Sequence, residues 1–333
     1  MRIFAIGNAL VDQEFRVSDT ELDAMRLTKG HMALIDEQTL GAKCAALGEP
    51  MRRCGGGSAA NTAAAFVGFG GEAYFCGRVA GDDIGRWFIR DLRSYGVSAR
   101  DVVASDAGIS GQCLVLISDD AERTMLTFLG VSAELRQQDL NEAALANADL
   151  VYVEGYMAGS DVCTDTCLEA LTLARTHRLD TALTLSDASM VEFCRSNLER
   201  MLEGGVTHLF CNLEEALLLT GSDRLDDASI LLGEHAQYLH ITLGAHGSLC
   251  QSQGAQARAS APPSISPNAA VVDTTGAGDM YAGAVLQAYA SGGEAAAMAA
   301  FGNFAASGIV RHYGARLSAR DAYAALRTAF ADL

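Results

Sequence analysis

The chain has 333 residues, 50% hydrophobic and 20% charged, with 24 Lys and Arg against 41 Asp and Glu for a net charge of −17. This is the composition of a folded globular protein, and a net-negative surface argues against nucleic acid or an acidic membrane as a partner. Only Lys29 and Lys43 are lysines, so a cationic contact to phosphate falls almost entirely to arginine. No run reaches the roughly 18 apolar residues of a membrane span. The first residues meet a charge at Asp12 without a signal-like apolar core. Nine cysteines of irregular spacing read as free thiols, and no second Cys pair or His completes a zinc pattern around Cys163 and Cys167. The expectation is a soluble, cytoplasmic protein.

In chain order, apolar runs between turn residues predict strands at 3–6, 74–79, 150–154, 182–186, 209–212 and 238–243. Helical patterns fall between the later ones, at 161–176, 191–202, 214–220 and 227–235. Strand–helix alternation of this kind predicts an α/β fold with a central, mostly parallel sheet and helices on both faces. The segments 112–118 and 123–128 instead form a hairpin around the polar turn 119–122, which reads as a flap or lid. The stretch 251–267 is polar and Pro-containing, and is expected to hold short antiparallel strands and a loop. A strand at 269–272 then leads to Asp273, followed by small-residue helices at 277–290 and 294–310. One large domain, 1–333, with a small β lid from segments near 11–17, 31–36 and 111–128, is the expected organisation.

The richest motif is Asp273-Thr274-Thr275-Gly276-Ala277-Gly278-Asp279. Two glycines at a helix start bring free N–H groups and the positive end of the helix dipole together, which suits an anion. Asp279 in the first turn has the position of a general base. The same pattern also fits an ordinary helix start with Asp279 complementing the dipole. A nicotinamide fingerprint is disfavoured because Tyr281 replaces the third glycine, and no lysine sits in a GxxxxGK[ST] run.

A second glycine cluster, Gly55-Gly56-Gly57, precedes Ser58 and Asn61, and reads either as a hydroxyl-binding site or as a turn with Ser58 as helix cap. Asn8 and Asp12 flank the carboxyl end of the first strand, where ligands of parallel sheets collect. Asn212 and Glu215 fit a capping box or the ordering of Mg²⁺ waters. Thr242, Gly244 and Gly247 end a further strand, either against a nucleotide or as a plain turn.

Taken together, DTTGAGD at 273–279, GGGSAANTA at 55–63, NLEE at 212–215 and TLGAHG at 242–247 resemble, in order, the motifs of the ribokinase-like (PfkB) carbohydrate and nucleoside kinases. The resemblance implies ATP- and Mg²⁺-dependent phosphoryl transfer to a hydroxymethyl group. It implies that Asp279 is the base and that the amides of Gly276, Ala277 and Gly278 form the anion hole. By the same likeness, Asn8, Asp12, Gly56, Gly57, Asn61 and Arg123 serve the acceptor, and Asn212, Glu215, Thr242, Gly244, Gly247 and Asn303 serve the nucleotide. It further implies a monovalent-cation (K⁺) site at Asp273, Thr275, Ile309, His312, Gly314 and Ser318. GNALVD at 7–12, the 182–202 stretch and Tyr152-Val153-Glu154-Gly155-Tyr156 are similar to the adenosine-kinase branch. That branch implies a ribonucleoside acceptor, with Leu34, Phe128 and Tyr156 as a wall for its base. A free furanose or hexose is the alternative, and a non-catalytic sensor the rival class. Either a monomer or a homodimer fits.

Overall fold

The computed structural model describes residues 1–30, 32–120, 122–252, 255–259 and 271–332, the backbone alone for 255–259. In chain order the strands are β1 (Arg2–Ile6), β2 (Leu10–Arg16), β3 (Met32–Leu34), β4 (Arg52–Gly55), β5 (Glu72–Ala80), β6 (Val102–Ser105), β7 (Gly111–Ile117) and β8 (Arg123–Phe128). They continue with β9 (Leu150–Glu154), β10 (Asp180–Thr184), β11 (Val206–Asn212), β12 (Ala236–Thr242), β13 (Ser248–Ser252) and β14 (Ala255–Ala259). The helices begin with α1 (Asp19–Ala24), α2 (Glu37–Leu47), α3 (Ser58–Gly68), α4 (Asp83–Ser94), α5 (Glu142–Ala146), α6 (Asp161–Thr176) and α7 (Ala188–Phe193). The remainder are α8 (Arg195–Leu202), α9 (Leu213–Thr220), α10 (Leu225–Gly233), α11 (Ala277–Ala290), α12 (Ala295–Ile309) and α13 (Arg320–Ala331).

Nine strands form the main sheet in the order β14-β13-β12-β11-β10-β9-β1-β5-β6. All its pairings from β12 to β6 are parallel, and β13 and β14 add antiparallel pairs at one edge. The period of two along each strand sorts side chains between two cores. Phe4, Ile6, Val151, Val153, Leu183 and Leu209 meet α6, α8, α9 and α10 on one face. Ile3, Ala5, Leu150, Tyr152, Phe75 and Phe210 meet α3, α4, α11 and α12 on the other. Burial on both faces is what makes β1 and β9 read as nearly continuous apolar runs.

A second sheet has the order β3-β8-β7-β2-β4, with β7 and β8 forming the expected hairpin. Phe15, Leu114, Leu116 and Leu126 on one of its faces pack against Leu22 of α1 and Leu40 of α2. Positions 12 and 14 of β2 and 123 of β8 fall on the opposite face, and carry the charged side chains.

Several sequence expectations need correction. The strand expected at 182–186 lies at Asp180–Thr184, because Ser186 turns to a φ of 73°. The helix expected at 191–202 is two helices broken at Cys194, whose φ of −121° and ψ of 22° leave the helical region. Ala269 and Ala270 of the expected strand 269–272 lie outside the described residues. Val271 and Val272 form no strand, since the N–H groups of Val272 and Asp273 donate instead to the Val310 carbonyl at the end of α12. The polar stretch 251–267 begins with the β13–β14 pair, and its residues from 260 on lie outside the described set, as do His31 of the expected lid segment and Ala121 of its turn.

Candidate active site

The N-termini of α3 and α11 converge beyond the carboxyl ends of β1 and β9, the edge where ligands of open parallel sheets bind. Their close packing follows from small residues, since a Cβ on Gly283 would lie 2.7 Å from Ala65 Cβ. The meeting point is Asp279. Its Oδ1 accepts from Ser58 Oγ at 2.6 Å and its Oδ2 from Asn61 Nδ2 at 2.9 Å. Burial pushes the Asp279 carboxyl up to about 6, against the lowering effect of those two bonds and of the Arg316 charge. A carboxylate so placed is poised to take a proton near neutral pH.

Gly276 begins α11 in the left-handed region, at a φ of 75°, and no side chain caps the helix. A Cβ on Gly278 would meet nothing within 4 Å. The Ala277 N–H donates to the Thr274 carbonyl at 3.2 Å, so the first-turn amides with no partner inside the helix are those of Gly278 and Asp279, at its positive end, where an anion is favoured.

The expected acceptor residues line the neighbouring wall. Asp12 stands on β2, and Gly56 is required there because a Cβ would run into the Asp12 carboxylate. Gly57, at a φ of 87°, leaves no room between itself and the Asn8 carbonyl. Burial raises Asp12 to about 7, opposed by Arg316 and Arg123 and helped by Glu14 and Asp279. Ser58 is not the helix cap, which is Gly57; its hydroxyl is spent on Asp279 instead.

Sequence reasoning assigned no role to Glu154, which is fully buried at the end of β9. Glu154 Oε1 accepts from the Asn8 N–H at 2.8 Å and Asn8 Nδ2 at 3.1 Å, while Oε2 accepts from the Ala59 N–H at 2.6 Å. It thereby ties the exit of β1 to the start of α3, and burial lifts it to about 7. Arg316 was likewise given no role. It donates to Asn61 Oδ1 at 2.8 Å and bridges to Asp91 at 2.7 Å. The available signal was the chemistry of the residues: a buried Glu or Arg must be paired, but its partners lie 95 to 255 positions away.

Arg123 reaches from β8 to Asp273, with Nη2 at 2.9 Å from Oδ2, to Glu14 at 3.5 Å, and to Thr275 Oγ1 at 3.3 Å. Asp273 also accepts from the N–H groups of Gly314 at 2.6 Å and Thr275 at 3.0 Å. The Ile309 carbonyl is taken by the His312 N–H at 2.8 Å, and His312 and Ser318 are exposed. These donors occupy the Asp273 carboxylate and the Ile309 carbonyl, two of the groups expected to hold a monovalent cation. With the Arg123 charge already on it, Asp273 as arranged does not fit a cation. Among the described residues no group of three or more His, Cys, Asp or Glu is arranged to hold a metal.

Toward the nucleotide side, Asn212 and Glu215 form the capping box of α9: Asn212 Nδ2 donates to Oε1 at 2.6 Å and the Asn212 N–H to Oε2 at 3.0 Å. Glu215 is buried and raised to about 7. Thr242 ends β12, Gly244 and Gly247 frame a short turn at φ values of 58° and 90°, and Asn303 is buried on α12. A Cβ on Gly244 would also meet open space. Tyr281, the residue that spoils the dinucleotide fingerprint, is buried and its hydroxyl lies 3.0 Å from Ser248 Oγ. Tyr156 sits amid the charges of Asp187, Asp279, Glu154 and Glu215, which together with burial hold its phenol well above its ordinary range.

The family model for pfkB family carbohydrate kinases matches residues 29–322. The structure of adenosine kinase from Sinorhizobium meliloti superposes with a TM-score of 0.88 at 32% identity, covering 99% of this chain and 98% of that one. A probable sugar kinase from Rhizobium etli CFN 42 gives 0.89 at 29% identity over the same shares. Probable fructokinase-4 of Arabidopsis thaliana is 28% identical over 239 residues, 69% of this chain and 72% of its own length.

Proposed function

Because the chain belongs to the pfkB family of carbohydrate kinases, phosphotransferases with an alcohol group as acceptor, we propose that it phosphorylates the hydroxymethyl group of a ribonucleoside, adenosine or a close analogue. The observation that carries the chemistry is Asp279, a partly buried carboxylate raised to about 6, at the foot of an uncapped helix N-terminus. The 32% identity to an adenosine kinase across almost the whole chain supports the acceptor class.

ATP with its Mg²⁺ supplies the γ-phosphoryl group. Asp279 takes the proton of the acceptor hydroxyl, with Ser58 and Asn61 fixing the plane of its carboxyl group. The amides of Gly276 and Gly278, joined by that of Ala277 once it leaves the Thr274 carbonyl, stabilise the negative charge that grows on the transferring group. Asp12, Gly57 and Asn61 hold acceptor hydroxyls, and the Asn8–Glu154 bond keeps that wall in place. Tyr156 and Phe128, both half-buried, supply an apolar wall; Leu34, 65% exposed on β3, stands at the rim. Thr242, Gly244, Gly247, Asn303 and the Asn212–Glu215 pair shape the nucleotide side, Glu215 through water rather than as a direct metal ligand.

We read 1–333 as one unit whose second sheet is a lid, and the cover of α1 and α2 over the outer face of that sheet supports a monomer rather than a homodimer. The nine cysteines are free thiols, which supports a cytoplasmic setting. Among the described residues no helix is long and apolar enough to cross a membrane. A free sugar is the second reading, favoured by the likeness to a probable sugar kinase and a probable fructokinase. ADP release from Mg-ATP across ribonucleosides and free sugars decides between them. Turnover with adenosine supports the proposal, turnover only with a furanose or hexose replaces the acceptor, and no acceptor-dependent ADP from any of them sinks the kinase reading.

A further inference from the structure

Arg316 lies in the segment between α12 and α13, buried to 6% residual exposure, and its guanidinium is held from every side. Nη1 is 2.7 Å from Asp91 Oδ2 and Nη2 is 3.3 Å from the Gly56 carbonyl. The guanidinium carbon lies 5.4 Å from the centre of the Tyr95 ring. The remaining donor, Nε, is 2.8 Å from Asn61 Oδ1, and the other end of that amide, Nδ2, is 2.9 Å from Asp279 Oδ2.

We propose that Arg316 is a positioning residue for the base: by claiming Asn61 Oδ1, it fixes the amide so that Nδ2, and not the carbonyl oxygen, faces Asp279. The inference rests on the reading of Asp279 as base. An amide can rotate by half a turn and exchange its oxygen for its nitrogen at little steric cost. Arginine has no acceptor, so only Oδ1 faces it, and an ionised carboxylate has no donor, so only Nδ2 faces that. Without the guanidinium only the carboxylate's own charge holds Nδ2 toward Asp279, and once the acid is protonated the amide can turn so that Oδ1 accepts from the acid O–H, which favours the protonated form. The arrangement therefore keeps the base free of its proton. Lysine does not substitute, because one ammonium cannot repeat a fork that serves Asp91, Gly56 and Asn61 together.

The groups around Asp279 come from three elements and the segment that follows one of them. Ser58 and Asn61 stand on α3, Asp12 on β2, Tyr152 and Glu154 on β9, and Tyr156 just after it. Arg316 is the cation that opposes them.

The test is a titration of the Asp279 carboxyl carbon by NMR in aspartate-labelled protein, its resonance assigned by its loss in Asp279→Asn. Arg316→Lys keeps the charge beside Asp91 and removes the fork. The midpoint is expected to rise by roughly one unit, the size of a lost bond to the charged form. In an Asn61→Ala background, where no amide is left to orient, Arg316→Lys is expected to add nothing. An unchanged midpoint in Arg316→Lys, or an equal shift in the Asn61→Ala background, overturns the proposal. The titration needs no turnover, so failure of the kinase reading shows separately as absent ADP release. Where turnover is measured, the acid limb of kcat moves with the midpoint, whereas a merely structural defect lowers kcat evenly across pH.

Discussion

The Arg123 guanidinium on the second sheet lies 2.9 Å from the Asp273 carboxylate, on the loop that leads into α11. Both side chains are largely buried, at 14% and 3% exposure. Through Asp273 and Thr275 one residue of the second sheet is thus joined to the loop that leads to Gly276, Ala277 and Gly278. The joint lies on the same face of the second sheet as Asp12, whose carboxyl feels the Arg123 charge.

The first prediction concerns that joint. Arg123→Gln is expected to lower kcat/KM by roughly 100-fold, the scale for losing one preorganised donor or charge at a developing anion. Amide hydrogen exchange in 123–128 and 273–276 should rise with it. Unchanged exchange in both segments would show that the bridge joins nothing mechanically.

Activation by a monovalent cation is the second. With Arg123, Gly314 and Thr275 on Asp273, K⁺ and Na⁺ at equal ionic strength are expected to give the same turnover within about twofold, because the site charge is built in. A tenfold or greater activation by K⁺ alone, on the order of 1.4 kcal/mol, would mean that Arg123 moves away to admit the ion.

Acceptor affinity should depend on pH through Asp12. Its carboxyl, raised to about 7 in the free protein, accepts hydroxyl hydrogen bonds best when ionised, so acceptor binding favours loss of its proton. The acceptor KM is expected to fall as pH rises through about 7, and Asp12→Asn should weaken binding and flatten that dependence. A KM in the wild type that is level from pH 6 to 8 would remove Asp12 from the role.

Stability carries the opposite pH signature on two sets of groups. Asp12, Glu154 and Glu215 are raised to about 7 and Asp279 to about 6, above their unfolded values of 3.8 or 4.5. Their contribution is full below the unfolded values and is lost as pH rises through 6 to 7. His208 and His240 are buried with their rings 3.1 Å apart at Nδ1 and Nε2, and are lowered from 6.5, His208 to about 3. Their contribution is full above 6.5 and is lost as pH falls toward 3. Four carboxylates outnumber two histidines, so the melting temperature is expected to rise as pH falls from 8 toward the unfolded carboxylate values of 3.8 to 4.5, and to fall only at more acid pH, where the histidine loss stands alone. A steady increase up to pH 8 contradicts this account of the buried carboxylates.

Elements with strong periodicity were legible in the chain: 161–176 and 277–290 match α6 and α11 residue for residue, and the hairpin 112–128 is β7 and β8. The α1, α2, α4, α5 and α13 helices were not read. The first two are short or amphipathic only weakly, and are announced mainly by the caps Ser18 and Asp36, each of which also suits a turn. The break at Cys194 was invisible because no Gly or Pro marks it. At the site, glycines carried most of the signal, since positions such as Gly57 and Gly276 answer to backbone geometry that local sequence displays. Glu154, Asp91 and Arg316 were silent because their meaning is set by partners far along the chain, and a lone charged residue reads first as solvated surface.

The central claim, that Asp279 is the base of a phosphotransferase, is tested most directly by Asp279→Asn. Asparagine keeps the size of the side chain and removes the proton acceptor, so MgATP affinity measured by calorimetry should stay near that of the wild type. Acceptor-dependent ADP release should fall by at least roughly 100-fold. Turnover near the wild-type rate, with the same nucleotide affinity, would contradict the account.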